Sequence, residues 1–344
     1  VEQNKTGMIT MKDVAIKAGV STATVSRALM NPEKVSTQTR RKVQLAVTAV
    51  GYEPQPLTRQ AKRSETRTIL AVVPDICDGF FSEILRGIEE TASDEGYLVL
   101  VVDCAHQHKK NFTDLLITRQ VDGMLLLGAN LPFSIGKAEQ QNLPPMVMVN
   151  EFVPELELPT VHIDNLTAAY EAVEYLFKLG HQRIACISGP EGTPLFEYRV
   201  QGFIQAMRRH SIPPAEQGIF RGDINFRTGA NGLNTLISRP NPPTAIFCHS
   251  DIIAFGALSQ AKSNGLNVPG DLSLIGFDDI TLAQFCDPPL TTVAQPRYQI
   301  GCDAMLLLLR QVRQHALINS SLLLESKLII RRSTAMPGVR HSRF

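Results

Sequence analysis

Four side chains within six residues, Thr22, Ala23, Ser26 and Arg27, have the types and spacing of a surface that reads DNA. On one face of a helix, small methyl- and hydroxyl-bearing groups fit the major groove and touch thymine methyls, while a guanidinium one turn later reaches guanine O6 and N7. Asn31, which with Pro32 ends that helix, is grouped with them. A second set is spread through the body of the chain. Phe80, Phe81, Asn150, Arg199, Ser250 and Asp278 each fall just past an apolar run or in the loop that follows one. Phenyl rings stack on a flat ligand, and an arginine with carboxylates around a polar cavity both donates to and accepts from vicinal hydroxyls. Asp279 stands beside Asp278, and Asp251 is either a further member of the set or the cap of a helix over 252–263.

The elements that must position the first set are legible. Thr10 and Asp13 form a T-x-x-D capping box for a helix whose Val14, Ala15 and Ala18 share one face. Gly19 permits a sharp turn. Ser21 caps a second helix over 22–29, whose Val25 and Leu29 point back at the first. A third helix starts at Ser36 or Thr37 and runs to Val50 on a stripe of Val43, Ala46, Val47 and Val50. A bare helical pair is often an ordinary surface hairpin; the third helix makes the pattern a small all-α helix-turn-helix head, ended by Gly51, Tyr52 and Pro54. Residues 54–67, PQPLTRQAKRSETR, then read as a polar, basic linker.

The second set needs a different frame. Short apolar runs at 69–73, 97–102, 123–128 and 146–149 are followed by a similar series at 183–188, 218–222, 244–248 and 272–277, with helices between them, the first over 81–95. Runs without polar alternation are the pattern of parallel strands covered on both faces. Two such series predict an α/β core of two doubly wound parallel-sheet lobes, with ligands held at the carboxyl ends of the strands in the cleft between them. Residues 161–163 read as a crossing segment, 290–296 lead back to the first lobe through a helix over 298–314, and 322–330 reads as one late strand. The expected division is a disordered stretch at 1–9, the head at 10–53, the linker at 54–67, the core at 68–334 and a tail at 335–344. Within the core, one lobe takes about 68–163 and 296–322, the other about 164–295 and 323–334.

Charge separates the same parts. The net charge of +1 hides a balance of 12 basic against 5 acidic residues through Arg67, and 22 against 28 beyond it. A basic head on an acidic body predicts that the head alone meets a polyanion. The six cysteines are scattered without a C-x-x-C, as expected of reduced core residues in a cytoplasmic protein. No run reaches the roughly 20 apolar residues of a bilayer span and no apolar leader precedes the head, so neither export nor membrane insertion is expected. Cys104, His106 and His108 form C-x-H-x-H without a clear fourth ligand, so neither a metal nor another cofactor is expected. No Walker loop, G-x-S-x-G, H-E-x-x-H or G-x-G-x-x-G is present. An enzyme acting on nucleosides would need paired catalytic carboxylates or a phosphate loop, for which Asp278 and Asp279 alone are weak material. A binding protein for uptake would need a leader in place of a basic head. The loop 190–194, PEGTP, is expected to be a ligand lid.

The run MKDVAIKAGVSTATVSRALMNPEKVSTQTRRKVQLAVTAVGYEP resembles the DNA-binding domain of the lactose/galactose repressor (LacI/GalR) family, and the resemblance extends from about Thr10 to Thr334. In that family the first two positions of the second helix and the arginine after V-S read bases, which match Thr22, Ala23 and Arg27. The resemblance implies a sensor core with the fold of periplasmic sugar-binding proteins, and a homodimer whose two heads meet half-sites of double-stranded operator DNA. It also implies an effector held by Arg199 and Asp278 and lined by Phe80, Phe81, Asn150 and Ser250. The family's linker folds on DNA into a hinge helix that wedges the minor groove with a leucine. Here the wedge position falls on Ala61 and Pro56 stands where the hinge helix begins, so this hinge is expected to stay loosely structured and wedge weakly. The segments ILAVVPDICDGFFSEILRGIE, LVLVVDCAHQ and FCDPPLTTVAQPR are similar to those of the family's cytidine-responsive members. That implies cytidine or a related nucleoside as the small-molecule effector, genes of nucleoside uptake and catabolism as targets, and joint action with the cyclic-AMP receptor protein.

Overall fold

The computed structural model describes residues 11–30, 35–50, 66–104, 120–128, 143–153, 156–213, 218–314 and 320–338. The chain divides into two units, Val1–Glu65 and Thr66–Phe344. Among its described residues the first holds three helices, α1 (Met11–Ala18), α2 (Thr22–Met30) and α3 (Thr37–Val50). Their core is Val14, Ala15, Val25, Ala28, Val43 and Ala46, with Ala18, Leu29, Val47 and Val50 partly buried around it. The turn between α1 and α2 places Gly19 at φ +67°, where a Cβ is strained. Ser21 Oγ accepts from the Thr24 amide at 3.2 Å and Ser36 Oγ from the Thr39 amide at 3.3 Å, so a hydroxyl caps both later helices.

The second unit contains two six-stranded sheets. In chain order the strands are β1 (Thr68–Val73), β2 (Leu98–Asp103), β3 (Gly123–Leu126), β4 (Met146–Val149), β5 (Thr160–Ile163), β6 (Ile184–Ser188), β7 (Gly218–Arg221), β8 (Ala245–Cys248), β9 (Ser273–Asp278), β10 (Thr291–Ala294), β11 (Leu322–Leu324) and β12 (Lys327–Ile329). The first sheet runs β11-β5-β4-β3-β1-β2 and the second β12-β10-β9-β8-β6-β7. All pairs are parallel except β10 with β12. Among the described residues the α-helices of this unit are α4 (Gly79–Asp94), α5 (Asn165–Lys178), α6 (Pro194–Arg209), α7 (Phe226–Ile237), α8 (Asp251–Ser263) and α9 (Arg297–Gln314).

Burial explains the unbroken apolar runs. In the second sheet Cys186, Phe247, Ile275 and Phe277 pack in one cluster with α5 and α6, while Ala185, Ile187, Ile246, Cys248 and Leu274 pack in another with α7 and α8. Alternate residues thus bury on opposite faces, and neither face can be polar. In the first sheet Ile69, Ala71, Leu125 and Val147 share a cluster with α4 and α9, and Leu70, Val72, Met124 and Met148 form another. Helix α4 meets α9 backbone to backbone, since a Cβ on Gly87 would strike the Tyr298 carbonyl and one on Gly301 the Ile84 carbonyl.

The crossings between lobes differ from the sequence expectation at residues 160–163 and in the late apolar run. Residues 160–163 are a strand of the first sheet, and the chain crosses just after it into α5. Residues 291–294 lie in the second sheet, and the return to the first lobe begins only at α9. The late apolar run is two strands, β11 beside β5 in the first sheet and β12 beside β10 in the second, so Leu323 and Leu324 belong to the first lobe. Glu325 and Ser326 are the polar break at which the chain changes sheets. The linker through residue 65, the wedge position Ala61, Asn31, Thr10, His106 and His108 lie outside the described residues.

Candidate functional site

On the head, Thr22, Ala23 and Arg27 are exposed and Ser26 is half-buried. Val25 and Ala28 take the opposite side of α2 into the core, which leaves the other side available to a groove. Arg40, Arg41 and Lys42 on α3 are also exposed, so the unit carries cations beyond Arg27.

In the core, Arg199 and Asp278 meet at the carboxyl end of β9. Arg199, on the second turn of α6, is 1 % exposed. Its Nε donates to Asn165 Oδ1 at 2.8 Å and its Nη1 to the His249 carbonyl. The guanidinium lies 3.6 Å from the centroid of the Phe277 ring, and Nη2 is 3.8 Å from Asp278 Oδ1. Burial lowers its pKa to about 10, against the opposing pull of Asp278, so it remains a cation at neutral pH. Asp278 closes β9 and accepts from Gln295 Nε2 at 2.8 Å. Burial pushes its carboxyl up to about 7, although Arg199 and Gln295 pull the other way.

The Asp278–Asp279 corner is held against its own backbone preference. Both residues have positive φ, +110° and +51°, a region that costs a residue with a Cβ of order 1–3 kcal/mol. Asp251 pins the corner from inside, its Oδ2 accepting from the Ile280 amide at 2.9 Å and its Oδ1 from Thr292 Oγ1 at 2.6 Å. Arg331 pairs with Asp279 Oδ1 at 2.8 Å from outside. The cap of α8 is Ser250, whose Oγ accepts from the Ile253 amide at 3.2 Å. Asp251 is therefore a support of the site, one residue past the cap position considered for it. Its carboxyl lies well above the usual range because of burial and then Asp278.

Several buried polar atoms at these strand ends have no hydrogen-bond partner. They are Asn150 Oδ1 after β4, Ser188 Oγ at the end of β6, both ring nitrogens of His249 after β8, and Gln295 Oε1 after β10. A buried polar atom without a partner costs about 1–3 kcal/mol, and two of these residues, His249 and Gln295, are bonded to Arg199 and Asp278, which describes a site that a polar molecule completes. Asn150 is also held at φ +69°. Phe80 and Phe81 are placed differently from expectation. Both pack into the core cluster of α4, edge to face at 5.1 Å, with 6 and 7 % of their surface exposed. Sequence reasoning missed His249, Gln295, Ser188 and Asn165. The first three stand at or immediately past the end of an apolar run, as Ser250 and Asp278 do, and that signal was available for them.

One further side chain joins the lobes at this level. Arg297 donates through Nη1 to the Gly79 carbonyl at 3.3 Å and through Nη2 to the Asp279 carbonyl at 2.8 Å. It therefore ties the start of α4 in the first lobe to the strained corner in the second.

Comparison with known proteins agrees with this arrangement. Residues 66–331 match the family described as periplasmic binding proteins and sugar binding domain of LacI family, and residues 10–55 match bacterial regulatory proteins, lacI family. The HTH-type transcriptional repressor CytR of Escherichia coli is 63% identical over 331 residues, covering 95% of this chain and 97% of that protein. Catabolite control protein A of Priestia megaterium is 32% identical over 329 residues, 95% of this chain and 99% of its own length. Among solved structures, the transcriptional regulator CelR in complex with cellobiose superposes with a TM-score of 0.70 at 28% identity, over 95% of this chain and 100% of that one. A LacI family regulator from Enterococcus faecium with bound ribose gives 0.70 at 26% identity, over 78% and 99%. With a three-helix head on a two-sheet core, matched on both units and across nearly the full length of its relatives, the chain belongs to the LacI family of bacterial regulatory proteins.

Proposed function

We propose that the chain is a transcriptional repressor whose hold on operator DNA is relieved by a nucleoside, cytidine in the first place, bound between the two lobes of its core. The observation that carries this reading is the presence, on one chain, of a helix with Thr22, Ala23 and Arg27 exposed and of a buried arginine–carboxylate site bonded to two residues, His249 and Gln295, that carry unpartnered polar atoms. Arg199, Asp278 and Gln295 take the ribose hydroxyls, Asn150 reaches the ligand from the first lobe, and Ser250 shapes the wall. Neighbouring proteins of this family in complex with cellobiose or ribose support a ligand with vicinal hydroxyls, and the 63% identity to CytR supports the repressor assignment. The working unit is a homodimer in the bacterial cytoplasm. Strand β2 is an edge strand with Leu98, Leu100 and Val101 exposed, and a second copy covering it removes an open, apolar sheet edge. Asn31 and Ala61 complete the DNA contacts, and the cyclic-AMP receptor protein is the partner with which the repressor acts on the promoters of nucleoside uptake and catabolism genes.

The test is a titration of labelled duplex DNA with the full-length protein at several salt concentrations, with and without cytidine. Salt-dependent binding that cytidine weakens is the expected result. Turnover of the nucleoside would instead make the protein an enzyme. Indifference to DNA at every ionic strength, alone and with the receptor protein present, would end the repressor reading.

A further inference from the structure

His249 is a buried histidine to which the reading above gives no role, and its surroundings are unusual. The residue is fully buried at the carboxyl end of β8. Both of its ring nitrogens lack a hydrogen-bond partner, whereas His181, the other deeply buried imidazole among the described residues, bonds Thr244, Ser273 and the Ala335 carbonyl. The backbone of His249 is already committed to the site, because its carbonyl accepts from Arg199. The imidazole lies between aromatic neighbours, tilted against Phe247 with centroids 4.9 Å apart and parallel to Phe196 at 6.5 Å. Phe196 in turn faces the Arg199 guanidinium at 5.6 Å. The ring therefore lies between two aromatic neighbours, its own carbonyl bonded to the ligand-holding arginine and both of its nitrogens without a hydrogen-bond partner.

The charge state narrows what such a ring can recognise. Burial, then Arg199 and Arg221, push its pKa well below the ordinary value, so at neutral pH one nitrogen carries a hydrogen and the other a lone pair. A cationic ring would suit a phosphate or carboxylate. A neutral one suits an uncharged partner that gives one of its nitrogens a donor or an acceptor, as the amino group or ring nitrogen on the edge of an amino-substituted heterocycle does. The sugar hydroxyls are already served by the charged pair and Gln295, all within the same group of strand ends.

We propose that His249 is a ligand-binding, specificity-determining residue, whose imidazole hydrogen-bonds the heterocyclic base of the effector while Arg199, Asp278 and Gln295 hold its hydroxyls. This inference rests on the nucleoside reading and deepens it. It makes the base, rather than the pentose, the part of the ligand that the second lobe discriminates. A site so built rejects a ligand that lacks the matching group, because the imidazole is then left buried and unpaired.

The test uses the full-length protein and two probes, cytidine and the pyrimidinone riboside that lacks its 4-amino group, titrated by calorimetry onto wild type and His249→Phe. Phenylalanine keeps the flat shape against Phe247 and removes both nitrogens. Wild type is expected to bind cytidine about tenfold or more tightly than the amine-free riboside, and that preference should vanish in His249→Phe. The same preference in both proteins, or unchanged cytidine affinity in the variant, would overturn the assignment. Should the variant fail to fold, nitrogen NMR of the imidazole in the wild-type protein decides. Saturating cytidine is expected to shift both ring resonances of His249, and resonances that do not move would overturn it. A wild-type protein that binds neither riboside but does bind free pentose, or none of these, would sink the nucleoside reading itself, a result distinct from loss of the His249 effect alone.

Discussion

Replacing Asp278 with asparagine removes one titrating group from the centre of the site while keeping its shape. Burial raises the Asp278 carboxyl from 3.8 to about 7 in the folded protein. Its folded value lies above its unfolded one, so between those limits the native state holds a proton that the unfolded chain has released. The wild type must then lose stability as pH rises from about 4 to about 7, at about 1.4 kcal/mol per pH unit and about 4 kcal/mol in total. Above that window the full cost is present. Asparagine carries no such dependence, so the stability of Asp278→Asn relative to wild type should climb by about 2 kcal/mol between pH 5 and pH 7 and level off by pH 8. The pull of Arg199, which at about 10 stays protonated throughout, is already contained in the Asp278 value and adds no further slope. The substitution also relieves Asp251, whose carboxyl Asp278 helps to push up, which adds to the slope in the same direction. Urea unfolding of both proteins at pH 5, 6, 7 and 8 measures the difference. A flat difference would mean that Arg199 keeps Asp278 ionised across the range, and the account of a strained, partly protonated site would be wrong.

Ligand affinity should follow the same carboxyl. Hydroxyls donate to ionised Asp278, so cytidine is expected to bind about tenfold more tightly at pH 8 than at pH 6; equal affinity would separate the ligand from Asp278. Arg27→Ala should abolish operator recognition, at a cost of about 1–3 kcal/mol for the base contact, while leaving cytidine binding intact. Equal loss of both in gel-shift and calorimetric assays would show that the head is not separable. Gly301→Ala sets a methyl against the Ile84 carbonyl where α4 and α9 touch, and about 1–3 kcal/mol of stability should be lost; an unchanged melting temperature would contradict the close approach. Ser333→Ala removes an Oγ that accepts from the Thr291 amide at 2.8 Å and donates to the Leu274 carbonyl at 2.7 Å. It leaves a buried N–H unpaired, and chemical denaturation should register about 1–3 kcal/mol.

The parts legible in the sequence are those where one local rule suffices. Ser21, Gly19 and the apolar stripe of α3 act within a few residues of themselves, and a strand buried on both faces, such as Ile184–Ser188, announces itself by lacking polar alternation. The crossings were harder. Thr160–Ile163 contains a half-buried histidine and is four residues long, and Leu322–Ile330 reads as continuous because leucine and isoleucine flank a two-residue break. The site was legible in its charges and illegible in its supports. Arg199 and Asp278 stand out by type, whereas Asn165, Gln295 and His249 matter because of what the fold leaves unpaired around them. Phe80 and Phe81 show the converse, since an aromatic pair after a strand can equally be a ligand platform or the first turn of a buried helix, and here it packs in the core.

The arrangement of Arg297 links the strained corner to the lobes' freedom to move. The chain passes between lobes at three places, after β5, after β10 and between β11 and β12, so a relative rotation of the lobes is absorbed by three short segments. Arg297 is the first residue of α9 at the second of these, and it holds the Asp279 carbonyl of one lobe and the Gly79 carbonyl of the other. A ligand that recruits Asp278 acts on the residue next to that carbonyl. Any shift in the corner that favours the ligand must then be matched at the start of α4 or break an Arg297 bond. The bonds to Arg297 therefore oppose a gradual displacement of one lobe against the other, and a ligand can shift the lobes only by as much as its affinity differs between arrangements. The backbone strain at Asp278 and Asp279 keeps that difference available, because a relaxed corner would have nothing to release when the ligand arrives or leaves.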